Sequence, residues 1–249
     1  MRLFTEIPAA DGTAEALIAR PDDDGPHPGV LLCMDALGLR PRIEEIADRI
    51  ASWGFVVLAP NTFYRSGTAA QTTPTTDLRD PRERAAYKSV VAPFLARLDG
   101  EAMDADVPYW IAALRAVEGV ADGPIGVTGY CMGAQLATRA AGLDPSVAAC
   151  GGFHGAQVAT ASPQSPHRHL TTARAAFVYG HADQDALMPP EDIARLDDAL
   201  AAAGLRARTS VYPGAPHGFT MSDTSSYQHA GAERHFDELH ELLRSELVR

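Results

Sequence analysis

Gly126-Val127-Thr128-Gly129-Tyr130-Cys131-Met132-Gly133-Ala134 places a cysteine between two glycines near the middle of the chain. An apolar run, Ile125 to Thr128, leads into it, and a helix-like run, Gln135 to Ala141, leads out. Gly-x-Cys-x-Gly between a strand and a helix is the pattern of a nucleophile elbow with sulfur in place of the usual serine oxygen. The nucleophile of such an elbow sits on a strained turn where backbone passes close to backbone, so Gly129 and Gly133 must lack side chains. The helix that follows turns its N-terminal N–H groups and positive dipole end toward the sulfur, which favours thiolate. Five residues also fit a buried cysteine in a tight turn, so the rest of the chain has to decide.

Working outward, short apolar runs alternate with helical spacings. Upstream, Leu3–Pro8 and Thr13–Arg20 read as strands around an Asp11-Gly12 turn, a hairpin signal. Pro21 to Pro26 is a loop. Gly29–Met34 is a continuous apolar run, as in a strand buried on both faces. Arg42–Trp53 carries Ile43, Ile46, Ala47 and Ile50 at helical spacing, and Phe55–Ala59 is the next strand. Thr62–Pro81 is the least regular stretch and suits a lid or a substrate-lining loop. Arg82–Arg97, interrupted near Pro93, and Met103–Val117 read as helices. Downstream, the expected strands are Val147–Phe153, Ala175–Tyr179 and Ala207–Tyr212. A polar loop at 161–172 and a helix over Glu191–Ala203, capped at Gly204, lie between them, and a terminal helix closes the chain within Ser225–Val248. No repeat or linker divides residues 1–249, which read as one domain. The alternation predicts an α/β fold: a mainly parallel sheet of about eight strands with helices on both faces.

Composition limits the function classes. The 249 residues carry a net charge of −11, 46% hydrophobic and 21% charged residues. Such an acidic chain is a poor partner for nucleic acid or an anionic membrane, and the charge favours solubility. The three cysteines, Cys33, Cys131 and Cys150, suggest neither a disulfide framework nor a metal site, and no cofactor motif is present. The absence of a signal-like N-terminus and of a spanning apolar run, with cysteines suited to a reducing setting, predicts a cytoplasmic protein. A monomer or a small homo-oligomer is expected.

In sheets of this kind the site lies at the carboxyl ends of the strands. Asp35, Cys131, Asp183 and His217 each follow a predicted strand. A thiol nucleophile needs a base, and the base needs an orienting acid. Asp183 lies in Gly180-His181-Ala182-Asp183-Gln184-Asp185, and His217 in Pro216-His217-Gly218-Phe219. Asp183 alone also fits a turn-forming Asx residue or helix cap, and His217 alone a solvated loop histidine. Their order after Cys131, nucleophile then acid then histidine, is that of the α/β-hydrolases.

The chain resembles the dienelactone hydrolase (carboxymethylenebutenolidase) family of that superfamily. The matching features are the Gly129–Gly133 elbow, Gly180-x-x-Asp183, His217-Gly218-Phe219, Met34-Asp35-Ala36-Leu37-Gly38 and Ala86-Tyr87-Lys88. The resemblance implies a cofactor-independent, metal-free hydrolase of small ester or lactone substrates. By position it makes Cys131 the nucleophile, His217 the base, Asp183 the acid that orients it, and the backbone N–H groups of Met132 and Ala36 the oxyanion hole. Asp35 falls where the family places a thiol-activating glutamate; one methylene shorter, it acts on the thiol, through His217 or water, or caps its own turn. Tyr87, Tyr130, His154 and Phe219 are candidate pocket residues, with core packing the alternative for Tyr87 and His154. His181 and Asp185 neighbour Asp183 and are rival acid-site residues, set second by the Gly-x-x-Asp spacing. Members that hydrolyse dienelactone hold its carboxylate with two arginines; those positions are Glu83 and Met221 here, so dienelactone itself is not the expected substrate. Arg82 and Arg84 flank the first, but helical neighbours point about 100° apart. The rival readings are a redox-sensitive thiol protein and a binding protein on a hydrolase fold.

Overall fold

The computed structural model describes residues 1–23 and 25–248; Asp24, within the expected loop Pro21–Pro26, lies outside them. Eight strands form one sheet in the order β1-β2-β4-β3-β5-β6-β7-β8. They are β1 (Arg2–Ala9), β2 (Gly12–Ala19), β3 (Gly29–Cys33), β4 (Val56–Pro60), β5 (Ile125–Tyr130), β6 (Val147–Phe153), β7 (Ala176–Ala182) and β8 (Ala207–Tyr212). The hairpin β1–β2 is antiparallel, β2 meets β4 antiparallel, and every later pairing is parallel. The expected α/β architecture is therefore the observed one. The inner strands are apolar runs because both of their faces are covered; every residue of β3, β4, β5 and β7 is buried, whereas the edge strand β8 is polar and largely exposed.

The helices are α1 (Pro41–Ala51), the short α2 (Ala69–Thr72), α3 (Pro81–Ala96), α4 (Gly100–Ala116), α5 (Gly133–Leu143), α6 (Pro190–Ala202) and α7 (His229–Leu247). Consecutive residues of a strand point to opposite faces, and two glycines of β6 show which helix covers which. A Cβ on Gly151 would meet Leu239 of α7, and one on Gly152 would meet Ala134 of α5. The irregular stretch 62–81 holds α2, closed by a reciprocal Thr68–Gln71 capping box. The expected interruption at Pro93 does not occur: α3 runs through it, losing one backbone hydrogen bond but not its path. Asp99 caps α4 by accepting from the Ala102 N–H, so that helix starts three residues before the expected Met103.

Strand order reverses around β3. The chain steps from β3 outward to β4, then returns to place β5 on the other side of β3. Such a switch point opens a crevice at the carboxyl ends of the two central strands. Asp35 and Ala36 follow β3, and Cys131 follows β5, so the chain delivers both to that crevice.

The core also buries histidines, with a consequence for acid stability. His235, on α7, lies fully buried among the Tyr130, Phe153 and Phe236 rings. Burial pushes its pKa down to about 3, and burial pushes that of His181 down to about 4. Both titrate near 6.5 in an unfolded chain. The unfolded state therefore binds protons that the native state refuses as pH falls through 6.5, and stability drops between there and about 4. The melting temperature is expected to decline over that interval, and His235→Phe is expected to flatten the decline. An unchanged slope in the variant would count against a neutral buried His235.

Candidate active site

The elbow forms because two glycines permit it. A Cβ on Gly129 would overlap the Gly133 carbonyl, and one on Gly133 would overlap the carbonyls of Cys33 and Met34 at the end of β3. The start of α5 thus packs directly on β3, and between these elements Cys131 adopts φ +54°. That left-handed conformation is strained for a side chain with a Cβ. It is fixed by hydrogen bonds from the Cys131 N–H to the Phe153 carbonyl at 3.2 Å and from the Ala134 and Ala156 N–H groups to the Cys131 carbonyl. The sulfur stands half-exposed at the N-terminus of α5, whose first amides and dipole favour negative charge there. Among the described residues, the Met132 and Ala36 N–H groups find no acceptor within the protein.

His217 arrives from the loop after β8. Its Nε2 lies 3.1 Å from Cys131 Sγ, and its Nδ1 lies 2.6 Å from Asp185 Oδ2. The carboxylate on His217 is thus Asp185, and not the expected Asp183. Strand β7 extends to Ala182, so Asp183 is the first residue past the sheet and faces the neighbouring loop. Its carboxylate accepts the Gly214 N–H at 2.8 Å, and its own N–H donates to the Ala215 carbonyl. Asp183 laces the two loops together. Asp185, two residues on and beyond a left-handed Gln184, turns back toward the ring. Its other oxygen accepts the Leu187 N–H, which fixes the carboxylate in place.

The pKa of His217 is raised to about 10. Burial alone would lower it, but the negative charge of Cys131, the hydrogen bonds to Asp185 and Cys131, and the Asp185 charge together outweigh burial. The ring thus stands between a carboxylate and a sulfur, and both favour its protonated form.

Asp35 does not touch the thiol. Its two oxygens bind the Arg40 guanidinium at 2.5 and 3.2 Å, and Oδ1 also accepts the Leu37 N–H. Of the three roles open to it, the turn cap is the observed one, joined by an ion pair to Arg40, which no local motif singles out.

Three of the candidate pocket residues prove to be core. Tyr130 is fully buried and its hydroxyl lies 3.1 Å from His235 Nε2. Phe219 is fully buried against Tyr212 and His154. His154 is fully buried, held neutral chiefly by burial, with Nε2 2.7 Å from Thr220 Oγ1 and its ring edge-on to His217. None of the three offers surface to a substrate. The fourth, Tyr87, is buried on α3 and donates its hydroxyl to the Thr72 carbonyl. Arg84, set aside on helical geometry, does reach the site: its Nη2 donates to the His217 carbonyl at 3.3 Å. Met221 is buried and its Sδ lies against Arg40, and Glu83 is exposed.

A cysteine elbow at the switch point of this sheet, with a histidine on its sulfur and a carboxylate on the histidine, defines the chain as an α/β-hydrolase. A sequence profile of the Dienelactone hydrolase family matches residues 14–247, and the chain belongs to that family. It is a hydrolase of ester or lactone bonds. A protein of Escherichia coli (strain K12), named "Putative carboxymethylenebutenolidase", is 27% identical over 234 residues, covering 92% of this chain and 82% of its own. A crystal structure from Klebsiella pneumoniae, described as a "Putative Dienelactone Hydrolase", superposes with TM-score 0.81 at 24% identity, covering 97% of each chain. A dienelactone hydrolase-like promiscuous phosphotriesterase from metagenomic libraries superposes with TM-score 0.82 at 18% identity, covering 99% of this chain and 98% of its own. At these identities the two structures speak for the fold. Among the described residues no helix is long and apolar enough to cross a membrane.

Proposed function

We propose that the chain hydrolyses small esters or lactones through a thioester on Cys131, with His217 as acid and base and Asp185 as its orienting carboxylate. The observation that carries this reading is the continuous contact from Asp185 through His217 to Cys131, at 2.6 and 3.1 Å. The thiolate attacks the carbonyl carbon, and the oxyanion rests on the Ala36 and Met132 N–H groups. Collapse breaks the C–O bond, and His217 Nε2–H gives its proton to the departing alkoxide. The sulfur is now acylated and neutral, so the largest influence that raised His217 has gone. Burial then dominates, and the ring becomes a base able to take a proton from water. Water attacks the thioester, the carboxylic acid leaves, and the thiolate–imidazolium pair re-forms.

Dienelactone itself is not the substrate we favour. Neither position at which the family holds its carboxylate carries a guanidinium, and Arg84 is engaged with the His217 carbonyl. The redox reading is weaker, because the protein offers the sulfur no resolving partner: Cys33 and Cys150 are buried, and burial pushes the Cys33 thiol up to about 12. The test is a panel of aryl esters and lactones assayed with the purified protein. Saturable hydrolysis well above the buffer rate is the expected result; a rate equal to buffer across the panel would overturn the reading.

A further inference from the structure

Arg40 is a buried cation that no step above uses. It sits just before α1, 5% exposed, and joins the adjacent turn after β3 to a loop 183 residues away in sequence. On one side Nη1 and Nη2 grip both oxygens of Asp35, and Nη1 also donates to the Gly38 carbonyl at 3.3 Å. On the other side Nε and Nη2 grip both oxygens of Asp223 at 2.6 and 3.1 Å, and Nη2 lies 3.4 Å from Met221 Sδ. Asp35 and Gly38 bracket Ala36. Met221 and Asp223 follow His217 within six residues. A single planar guanidinium therefore binds the backbone that carries one candidate oxyanion donor to the loop that carries the candidate base.

Resting on the hydrolase reading, we propose that Arg40 is a positioning residue that locks the Ala36 amide in register with His217. The two carboxylates compensate a charge that would otherwise be costly to bury, and two forked contacts fix orientation as one contact cannot. The cluster carries more than a stability role would need, because its four anchor points sit on the two segments whose relative placement catalysis depends on. Misplacing a donor or base by about 1 Å costs on the order of 100-fold in rate.

Arg40→Met is the first test, with p-nitrophenyl acetate as substrate and iodoacetamide as a substrate-independent probe of Cys131. We expect kcat to fall about 100-fold with KM within about threefold, as for loss of an oxyanion donor. We also expect alkylation at pH 6.5 to slow about tenfold, because the ring is no longer held on the sulfur. A residue that only holds the fold together would lower the melting temperature and leave both rates of the folded protein unchanged. Folded Arg40→Met with kcat and alkylation within about twofold of the parent overturns the proposal. Should that variant not fold, Asp223→Asn, altering the partly exposed partner, decides: a fall in kcat of about fivefold or more supports the lock, and an unchanged kcat overturns it. If the parent hydrolyses no ester, the reading of function fails, while the alkylation rates still decide this one.

Discussion

Replacing Cys131 by alanine is expected to lower kcat for aryl ester hydrolysis by about four orders of magnitude or more, with the fold intact. The size follows from the way such residues act as a unit: removing a nucleophile leaves only the residual catalysis of the oxyanion donors and binding. The fold should survive because the Cys131 side chain is half-exposed and the elbow is held by backbone bonds to Phe153, Ala134 and Ala156. Cys131→Ser is expected to fail nearly as badly. The charge on sulfur is the largest influence raising His217 toward about 10, and a resting serine hydroxyl carries no such charge. Its ring would be drawn down by burial, and the site would hold a neutral hydroxyl beside a neutral base in a geometry shaped for the larger atom. Alanine and serine variants that keep more than a tenth of the parent rate would contradict a sulfur nucleophile at this position.

The second large effect separates two neighbouring aspartates. Asp185→Asn is expected to lower kcat by about 100- to 10,000-fold, because an amide beside Nδ1 no longer stabilises the imidazolium and permits the wrong tautomer. Asp183→Asn is expected to leave kcat within about threefold and to cost about 1 kcal/mol of stability, since an asparagine oxygen still accepts the Gly214 N–H. The reverse pattern would restore the assignment that the Gly-x-x-Asp spacing favours. Steady-state kinetics on the two variants, with melting temperatures, decide between them.

The sequence spacing favours Asp183, while the contact with His217 is made by Asp185. The apolar run of β7 ends at Tyr179 in the sequence, because Gly180, His181 and Ala182 have no strand signature of their own. They are strand because β8 lies beside them: Gly180 pairs with Ser210, His181 with Val211 and Ala182 with Tyr212. Three more residues of strand carry Asp183 to the sheet's edge and leave Asp185 in the turn. A usable local signal was the Pro189-Pro190 start of α6, which leaves Asp185 room to close a turn before the helix. By contrast β6 and β8 were legible to the residue, because Val147–Phe153 and Ala207–Tyr212 end at Gly, Pro or polar breaks. The elbow was legible because its chemistry is local. Tyr130 and Phe219 neighbour Cys131 and His217 in sequence, but adjacency does not say which way a ring points, and both rings face the core. Arg40 was illegible for a deeper reason: its partner Asp223 is 183 residues away, and nothing near Arg40 in sequence foretells a buried double ion pair.

On the mechanism proposed here, Cys131 becomes acylated during turnover. Rapid acid quench of the parent protein with p-nitrophenyl acetate, followed by peptide mass spectrometry, tests it most directly. The predicted result is one acetyl group per chain, on the peptide bearing Cys131, accumulating more strongly in Asp185→Asn, where deacylation lacks a well-held base. Ester turnover with no adduct on Cys131 in either protein, or with the acetyl group on another residue, would contradict it.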